Sequence, residues 1–502
     1  MKLRRRELAG ADKPTQRWGV LGILLFALAL RVIALQSRSI QYDDAFSYFL
    51  ARRSLGEIVR GTAADTMPPL YYFLLHFWMQ ISTELWFLRL LSVLLSLGIV
   101  ALTYYLAAQL FRPQVGLVAA FLAAISPLQI YHGQDLRMYA PLALGQLGYY
   151  VFFVRIWRKD GQGSFKDWLG LVLCAVVAMY SHNLAIFGLA VVPLWLVLRR
   201  KWQLLGRVLL ALMGVGLLAL PWLWMVPGQV EKIQRAFWTP RPGILEIFQA
   251  VLMFTVHLPL EGIWLVLASV LSVQLLVLVA FETWRDRKRE DGIGLATIIA
   301  LGLPAILFVV SYLIRPVFVP RGFLVASLAY FVLAGRVVVR RWRHGIGAMV
   351  LGGFILAAIV SLPFYYTFNS FPRSPFNEAM QGLRTRVQAG DVIVHDNKLS
   401  FFPSYFYAPD LPMKFIADVP GSHNDTYAKA SQDAMQLFPE PDLETAVGDA
   451  QRVYFVTFSE TIEEYQALGE MRHPALRWLD ERYTLLGQWT YGDLLVFGYG
   501  RR

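Results

Sequence analysis

Residues 184–226 read LAIFGLAVVPLWLVLRRKWQLLGRVLLALMGVGLLALPWLWMV. Two apolar runs flank a basic cluster, Arg199 to Arg207, and the second run matches the roughly 20 residues that an α-helix needs to cross a bilayer. Lys and Arg concentrated in a short connection between apolar runs is the pattern of a cytoplasmic turn between two spans. The alternation recurs through the first three quarters of the chain. Further basic connections run from Lys2 to Arg17, Arg155 to Lys166, Arg285 to Arg289 and Arg336 to Arg343. If all face the cytoplasm, the apolar segments between them must cross in pairs. Spans are then expected at about 18–35, 89–111, 115–131, 139–157, 168–181, 184–198, 203–226, 262–284, 292–314, 322–339 and 345–367, about eleven helices. The expected fold class is an α-helical polytopic membrane protein.

Composition agrees. Of the 502 residues, 56% belong to the hydrophobic set and only 16% are charged, against roughly 25% charged in soluble domains. Mean hydropathy is +0.47. The net charge of +12 resides in the topogenic clusters, so nucleic acid is excluded as a partner. One cysteine, Cys174, lies within an apolar run, so there is no disulfide framework. The basic N-terminus, residues 1–17, is followed by an apolar run with no small-residue cleavage site and is read as cytoplasmic, ahead of a retained span.

One apolar stretch is too short to cross. Residues 68–81, PPLYYFLLHFWMQI, are expected to form an interfacial helix with Tyr71, Tyr72, Phe73, Phe77 and Trp78 at headgroup level. Residues 36–88 become one large outside loop, and the segments 227–261 and 315–321 lie outside too. The helical module occupies 18–367, and from 373 to 502 the composition is that of a soluble α/β domain. Its strand-like runs are 391–395, 452–457 and 494–498, and the odd span count puts it outside.

Asp43-Asp44 follow the first span, in SIQYDDAFSYFLARRSL. Adjacent carboxylates at a membrane surface suit a general base or a cation site. The alternative is an acidic first turn that complements the dipole of a short interfacial helix. Asp135 and Arg137 lie in the turn Tyr131-His-Gly-Gln-Asp-Leu-Arg-Met-Tyr139, where they have the option of simply pairing. His182 joins two short spans, Arg321 opens the tenth, and Lys232, Arg235 and His257 lie in the 227–261 segment. Acids and cations converging on one membrane face from many segments mark a site. His76, alone among aromatics, reads as a packed residue.

In chain order, the acidic pair, the Pro-Pro-Leu-Tyr-Tyr helix, the Gln-Asp-Leu-Arg-Met-Tyr turn and the Tyr180-Ser-His182 junction resemble glycosyltransferase family 39 over about residues 15–340. That family comprises protein O-mannosyltransferases, lipid A aminoarabinose transferases and bacterial relatives of GT-C type. The resemblance implies inverting transfer of a sugar from a polyprenyl-phosphate donor to an acceptor hydroxyl on protein, lipid or polysaccharide. The setting it implies is the outer face of a bacterial-type plasma membrane. Asp43 matches the first acid of the family's Asp-Glu pair, the general base. Asp44 stands where the family usually has Glu, Asp135 matches the acid of the second turn, and Met67 replaces a usual His, Asn or Lys. A polyprenyl phosphate leaves as a dianion and needs cations, for which Arg137, His182 and Arg321 are the candidates. Mg²⁺ or Mn²⁺ on the acid pair plus Asp135 is an open alternative, although the named branches are generally taken to work without metal. The rival class is a lipid or solute transporter, which would place its charges nearer mid-bilayer and show repeated halves.

Overall fold

The computed structural model describes residues 14–229, 239, 241–256, 259–314, 316–422 and 424–502. In chain order its first helices are α1 (Pro14–Val32), α2 (Tyr42–Ala51), α3 (Leu55–Asp65), α4 (Leu70–Trp78), α5 (Leu85–Leu110), α6 (Pro113–Ile125), α7 (Pro127–Gly133) and α8 (Tyr139–Arg158). Then come α9 (Phe165–Ser181), α10 (Ala185–Leu198), α11 (Trp202–Leu223), α12 (Ile244–Met253), α13 (Gly262–Asp286), α14 (Asp291–Leu313), α15 (Leu324–Arg340) and α16 (Ile346–Thr367). Two compact units result. One holds the described residues of 1–35, 66–234 and 238–366, and the other those of 36–65 and 367–502.

In the helical unit, every expected span corresponds to a helix. Among the described residues, seven helices are long and apolar enough to cross a membrane, or eight if α6 and α7, bent by 64° at their junction, count as one. About eleven were expected. The difference is α8, whose 20 residues are not apolar enough, and α9 and α10, which at 17 and 14 residues are too short, although all three occupy the expected segments. The expected continuous span 115–131 is broken because Pro127 has no N–H to continue the ladder and Ser126 caps α7 through Gln129 N.

Helix α15 forms the middle of this unit, buried almost throughout. Gly335 permits its close approach to α6: a Cβ there would meet Val115 O and Ala119 N at 3.1 Å. The basic connections gather at one end of the unit. Arg336 pairs with Asp286 at 3.1 Å and with Glu290 at 3.1 Å, and Arg341 with Glu282 at 2.5 Å. Arg199 meets Asp291 at 2.7 Å, and Arg207 Nη1 donates to Gly161 O at 2.9 Å. Four connections between 155 and 343 thus share a single end, as the pairing of spans requires.

Helix α4 is helical as expected, and its Tyr71 and Tyr72 are fully buried, Tyr71 Oη making a 3.0 Å hydrogen bond with Ser92 Oγ on α5. Phe77, on the opposite face, is exposed.

The second unit is an α/β domain. Its helices are α17 (Phe376–Arg384), α18 (Lys398–Tyr407), α19 (Lys429–Met435), α20 (Leu443–Val447), α21 (Ser459–Ala467) and α22 (Pro474–Arg482). Its strands are β1 (Val392–His395), β2 (Met413–Phe415), β3 (Arg452–Phe458), β4 (Tyr483–Tyr491) and β5 (Leu494–Arg501). The sheet order is β2-β1-β3-β5-β4. Strand β1 pairs parallel with β2 and β3, while β5 runs antiparallel to β3 and β4. Successive strand residues point to opposite faces. Val392, Val394, Val453 and Phe455 pack against α20 and α22, while Ile393, Tyr454 and Val456 pack against α17.

Helices α2 and α3 belong to this unit. The aromatic face of α2, expected along the membrane interface, is spent on α18: Tyr42, Phe46 and Phe49 lie 5.3, 6.3 and 5.9 Å from the Phe402 ring. Helix α3 packs on α19, where Ser431 Oγ donates to Gly61 O at 3.2 Å.

Candidate active site

The acidic pair sits in the first turn of α2, where carboxylates complement the positive end of the helix dipole. The two carboxylates have different surroundings. Asp44 is fully buried, its Oδ2 3.4 Å from Arg373 Nη1 and its Oδ1 3.5 Å from Gln41 Nε2. Asp43 is only half-buried. Beside them, burial and then the carboxylates of Asp65, Asp43 and Asp418 push the Tyr42 phenol well above its usual range, which keeps it a hydrogen-bond donor.

The second turn is built inside the helical unit. After the α6–α7 break, Gln129 Nε2 donates to Ser327 Oγ at 2.9 Å and to Leu324 O at 3.1 Å, tying α7 to the start of α15. Asp135 is buried, with Oδ2 3.1 Å from His132 Nδ1, and its carbonyl accepts from Ser92 Oγ at 2.6 Å. Gln134 Nε2 donates to Arg31 O and Ile33 O at 2.8 and 2.9 Å, and its Oε1 accepts from Tyr365 Oη at 2.6 Å. Such a satisfied buried network holds a turn rigidly.

His182 ends α9 in extended conformation. Its Nδ1 accepts from Leu184 N at 3.1 Å, leaving Nε2–H as the donor. Burial above all, followed by the positive charges of Arg321 and Arg137, pushes it down to about 3, so it is neutral at physiological pH. Tyr139 is the common wall. Its ring lies 5.9 Å from that of His182 and 5.0 Å from that of His132, and the Arg321 guanidinium sits 5.8 Å above it. The structure therefore brings His182 and Arg321 together around Tyr139, and the charge of Arg137 acts on His182.

Adjacent to this junction, Asn183 Nδ2 donates to Thr66 O at 2.8 Å and to Gln229 Oε1 at 2.9 Å, and its Oδ1 accepts from Trp222 Nε1 at 2.8 Å. Thr66 has φ +91°, a costly conformation for a β-branched residue, and immediately precedes Met67 and Pro68-Pro69.

Sequence reasoning missed His132, Arg31 and Arg373. Arg31 is completely buried and donates to Ser96 Oγ at 2.8 Å, to Ala124 O at 3.0 Å and to Ala123 O at 3.2 Å, carbonyls freed by the α6–α7 break. The signal available was an arginine inside an apolar run, which is rare without a structural or functional reason. Lys232, Arg235 and His257 lie outside the described residues. Among the described residues no three His, Cys, Asp or Glu side chains are grouped to hold a metal ion.

Residues 66–225 match the family model described as dolichyl-phosphate-mannose-protein mannosyltransferase. No curated protein matches the chain by sequence. Among solved structures, ArnT from Cupriavidus metallidurans in the apo state aligns with a TM-score of 0.64 and 14% identity, over 97% of this chain and 98% of that one. The same ArnT bound to undecaprenyl phosphate aligns at 0.61 and 13%, over 95% and 97%. The oligosaccharyltransferase AglB from Archaeoglobus fulgidus, in complex with an inhibitory peptide and a dolichol-phosphate, aligns at 0.54 and 12%, over 98% and 75%. At such identities the likeness is one of fold: the chain shares the fold of these solved structures, and residues 66–225 carry the match to the mannosyltransferase family model.

Proposed function

We propose that the protein transfers a hexosyl or pentosyl group from a polyprenyl-phosphate donor to an acceptor hydroxyl, with inversion, at the outer face of the membrane. The observation that carries this reading is the meeting of His182 and Arg321 on Tyr139, with the charge of Arg137 acting on His182. Two guanidinium forks and a neutral imidazole N–H suit the oxygens of a departing phosphate. A tail that must stay in hydrocarbon suits a helical unit rich in apolar surface. The relatives by fold that bind undecaprenyl phosphate and dolichol-phosphate support the donor class.

The chemistry balances without a redox partner. The acceptor oxygen bonds to the anomeric carbon as the bond from that carbon to the phosphate oxygen breaks. The acceptor proton passes to the Asp43 carboxylate, and the polyprenyl phosphate leaves as a monoester dianion. No general acid is needed, since the leaving group is already stable as an anion.

The test is release of polyprenyl phosphate from a sugar-loaded donor by purified protein in lipid discs, with surface lipids and glycans offered as acceptors. We expect Asp43→Asn to reduce transfer by about 10²–10⁴-fold while donor binding persists. Wild-type protein inert towards every polyprenyl-phosphate sugar would overturn the reading, and full activity in Asp43→Asn would remove Asp43 from it.

A further inference from the structure

Arg373 follows the last helix of the helical unit, in the segment Ser370-Phe-Pro-Arg-Ser-Pro-Phe376. Its backbone is pinned on both sides. Its N–H donates to Ser370 O at 2.8 Å, and Asp493 Oδ2 accepts from Phe371 N at 2.8 Å and from Ser374 Oγ at 3.0 Å. From that fixed base the side chain reaches the start of α2. Nη1 donates to Ser39 O at 3.0 Å and lies 3.4 Å from Asp44 Oδ2, with side-chain exposures of 1% and 0% for the two partners.

Fully burying two opposite charges carries a heavy desolvation cost for each ion, and well-packed apolar residues often do as well or better for stability. What such a pair supplies instead is a fixed geometry. Here the geometry belongs to the first turn of a ten-residue helix, one residue from Asp43. The guanidinium thus faces the Asp44 carboxylate, while Asp43 is half-buried.

We propose that Arg373 is a positioning residue for the transfer reaction: by clamping Asp44 it fixes the first turn of α2, so that Asp43 alone of the adjacent acids serves as base. The inference rests on the glycosyl-transfer reading above. Arg373 and Asp44 then act as one device, and the loss of either partner misplaces the same carboxylate.

The test compares full-length Arg373→Met, Arg373→Lys, Asp44→Asn and the double variant Asp44→Asn/Arg373→Met in lipid discs, with a polyprenyl-phosphate sugar as donor. Arg373→Met should lower kcat on the order of 10- to 100-fold, the penalty for a misplaced catalytic group, with the donor KM within about twofold of wild type. Arg373→Lys should recover part of the rate, because its charge still holds Asp44. The double variant should lose no more than either single variant, because both remove one device. If Arg373→Met fails to fold for want of a charge partner, the lysine and double variants, each without an orphaned buried charge, carry the comparison. Wild-type kcat in folded Arg373→Met, or in the double variant, would overturn the proposal, as would single losses that multiply in the double. An active wild type with indifferent Arg373 variants sinks this inference alone. A wild type inert with every donor sinks the glycosyl-transfer reading, and this inference falls with it.

Discussion

Lysine and arginine carry the same charge, and the difference between them decides what Arg137 and Arg321 do. An arginine that anchors a helix end among headgroups tolerates lysine, whereas one that forks onto phosphate oxygens does not. Arg321 stands over Tyr139, and its charge and that of Arg137 both act on His182, an arrangement beyond what an anchor needs. We expect Arg137→Lys and Arg321→Lys each to raise the donor KM or lower kcat/KM by about tenfold or more, the cost of a lost charge-assisted contact. Protein yield should not change, and wild-type kinetics in both lysine variants would place the phosphate elsewhere. These residues were legible in the sequence because charged groups at span ends are few. Arg373 was not legible: nothing local marks it, and its partner Asp44 lies over 300 positions away.

Elements were read more reliably than the breaks within them. Apolar length and basic punctuation place the long helices, but a span continuous in hydropathy conceals the bend at Ser126-Pro127. The cue was Pro127; its consequence, two carbonyls in need of donors, is met by Arg31 from another helix. Arg31→Gln should therefore destabilise the protein by about 1–3 kcal/mol, the range for buried polar groups left unsatisfied. A fall of several degrees in unfolding temperature would show it, and an unchanged midpoint would mean that the bend supports itself. In the sheet, β1, β3 and β5 were visible as apolar β-branched runs. Strand β2 has only three residues, and β4 is an edge strand exposed along most of its length, so neither carries a strong pattern.

Across the whole molecule, the pairing of spans predicts sidedness, and thiol labelling reads it directly. In a Cys174→Ala background, Ser54→Cys and Met471→Cys, both at exposed positions, should react with an impermeant reagent in intact cells. Arg343→Cys, among the gathered basic connections, should react only after lysis. Labelling of Ser54→Cys or Met471→Cys that also waits for lysis would reverse the topology. Acid sensitivity is a second global property. Burial pushes His395 down to about 3, whereas an unfolded histidine titrates near 6.5. The unfolded state therefore binds the proton first. The stabilisation is complete above about pH 6.5 and declines towards pH 3, by about 1.4 kcal/mol per pH unit. His182, shifted the same way, adds to that slope. His395→Phe keeps the ring beside Phe401, and Ser400 Oγ still donates to Asn397 O. Its unfolding temperature should fall less steeply than that of wild type between pH 6.5 and 4.5. Parallel slopes would exclude His395 as a source of the effect.

The union of residues 36–65 with 367–502 also has a timetable. Ribosomes deliver roughly 5–20 residues per second, so α2 and α3 emerge some 15–60 s before synthesis even reaches the segment they fold with. Throughout that interval Phe46, Phe49 and Leu50, all buried in the finished unit, have no partner surface from α18 or α19. An early hairpin of sticky aromatics must be kept apart from its neighbours while the intervening helices are threaded into the bilayer. Biogenesis of this protein is thus paced by its last domain, and a ribosome that stalls anywhere between Thr66 and Thr367 strands the acidic helix half-made.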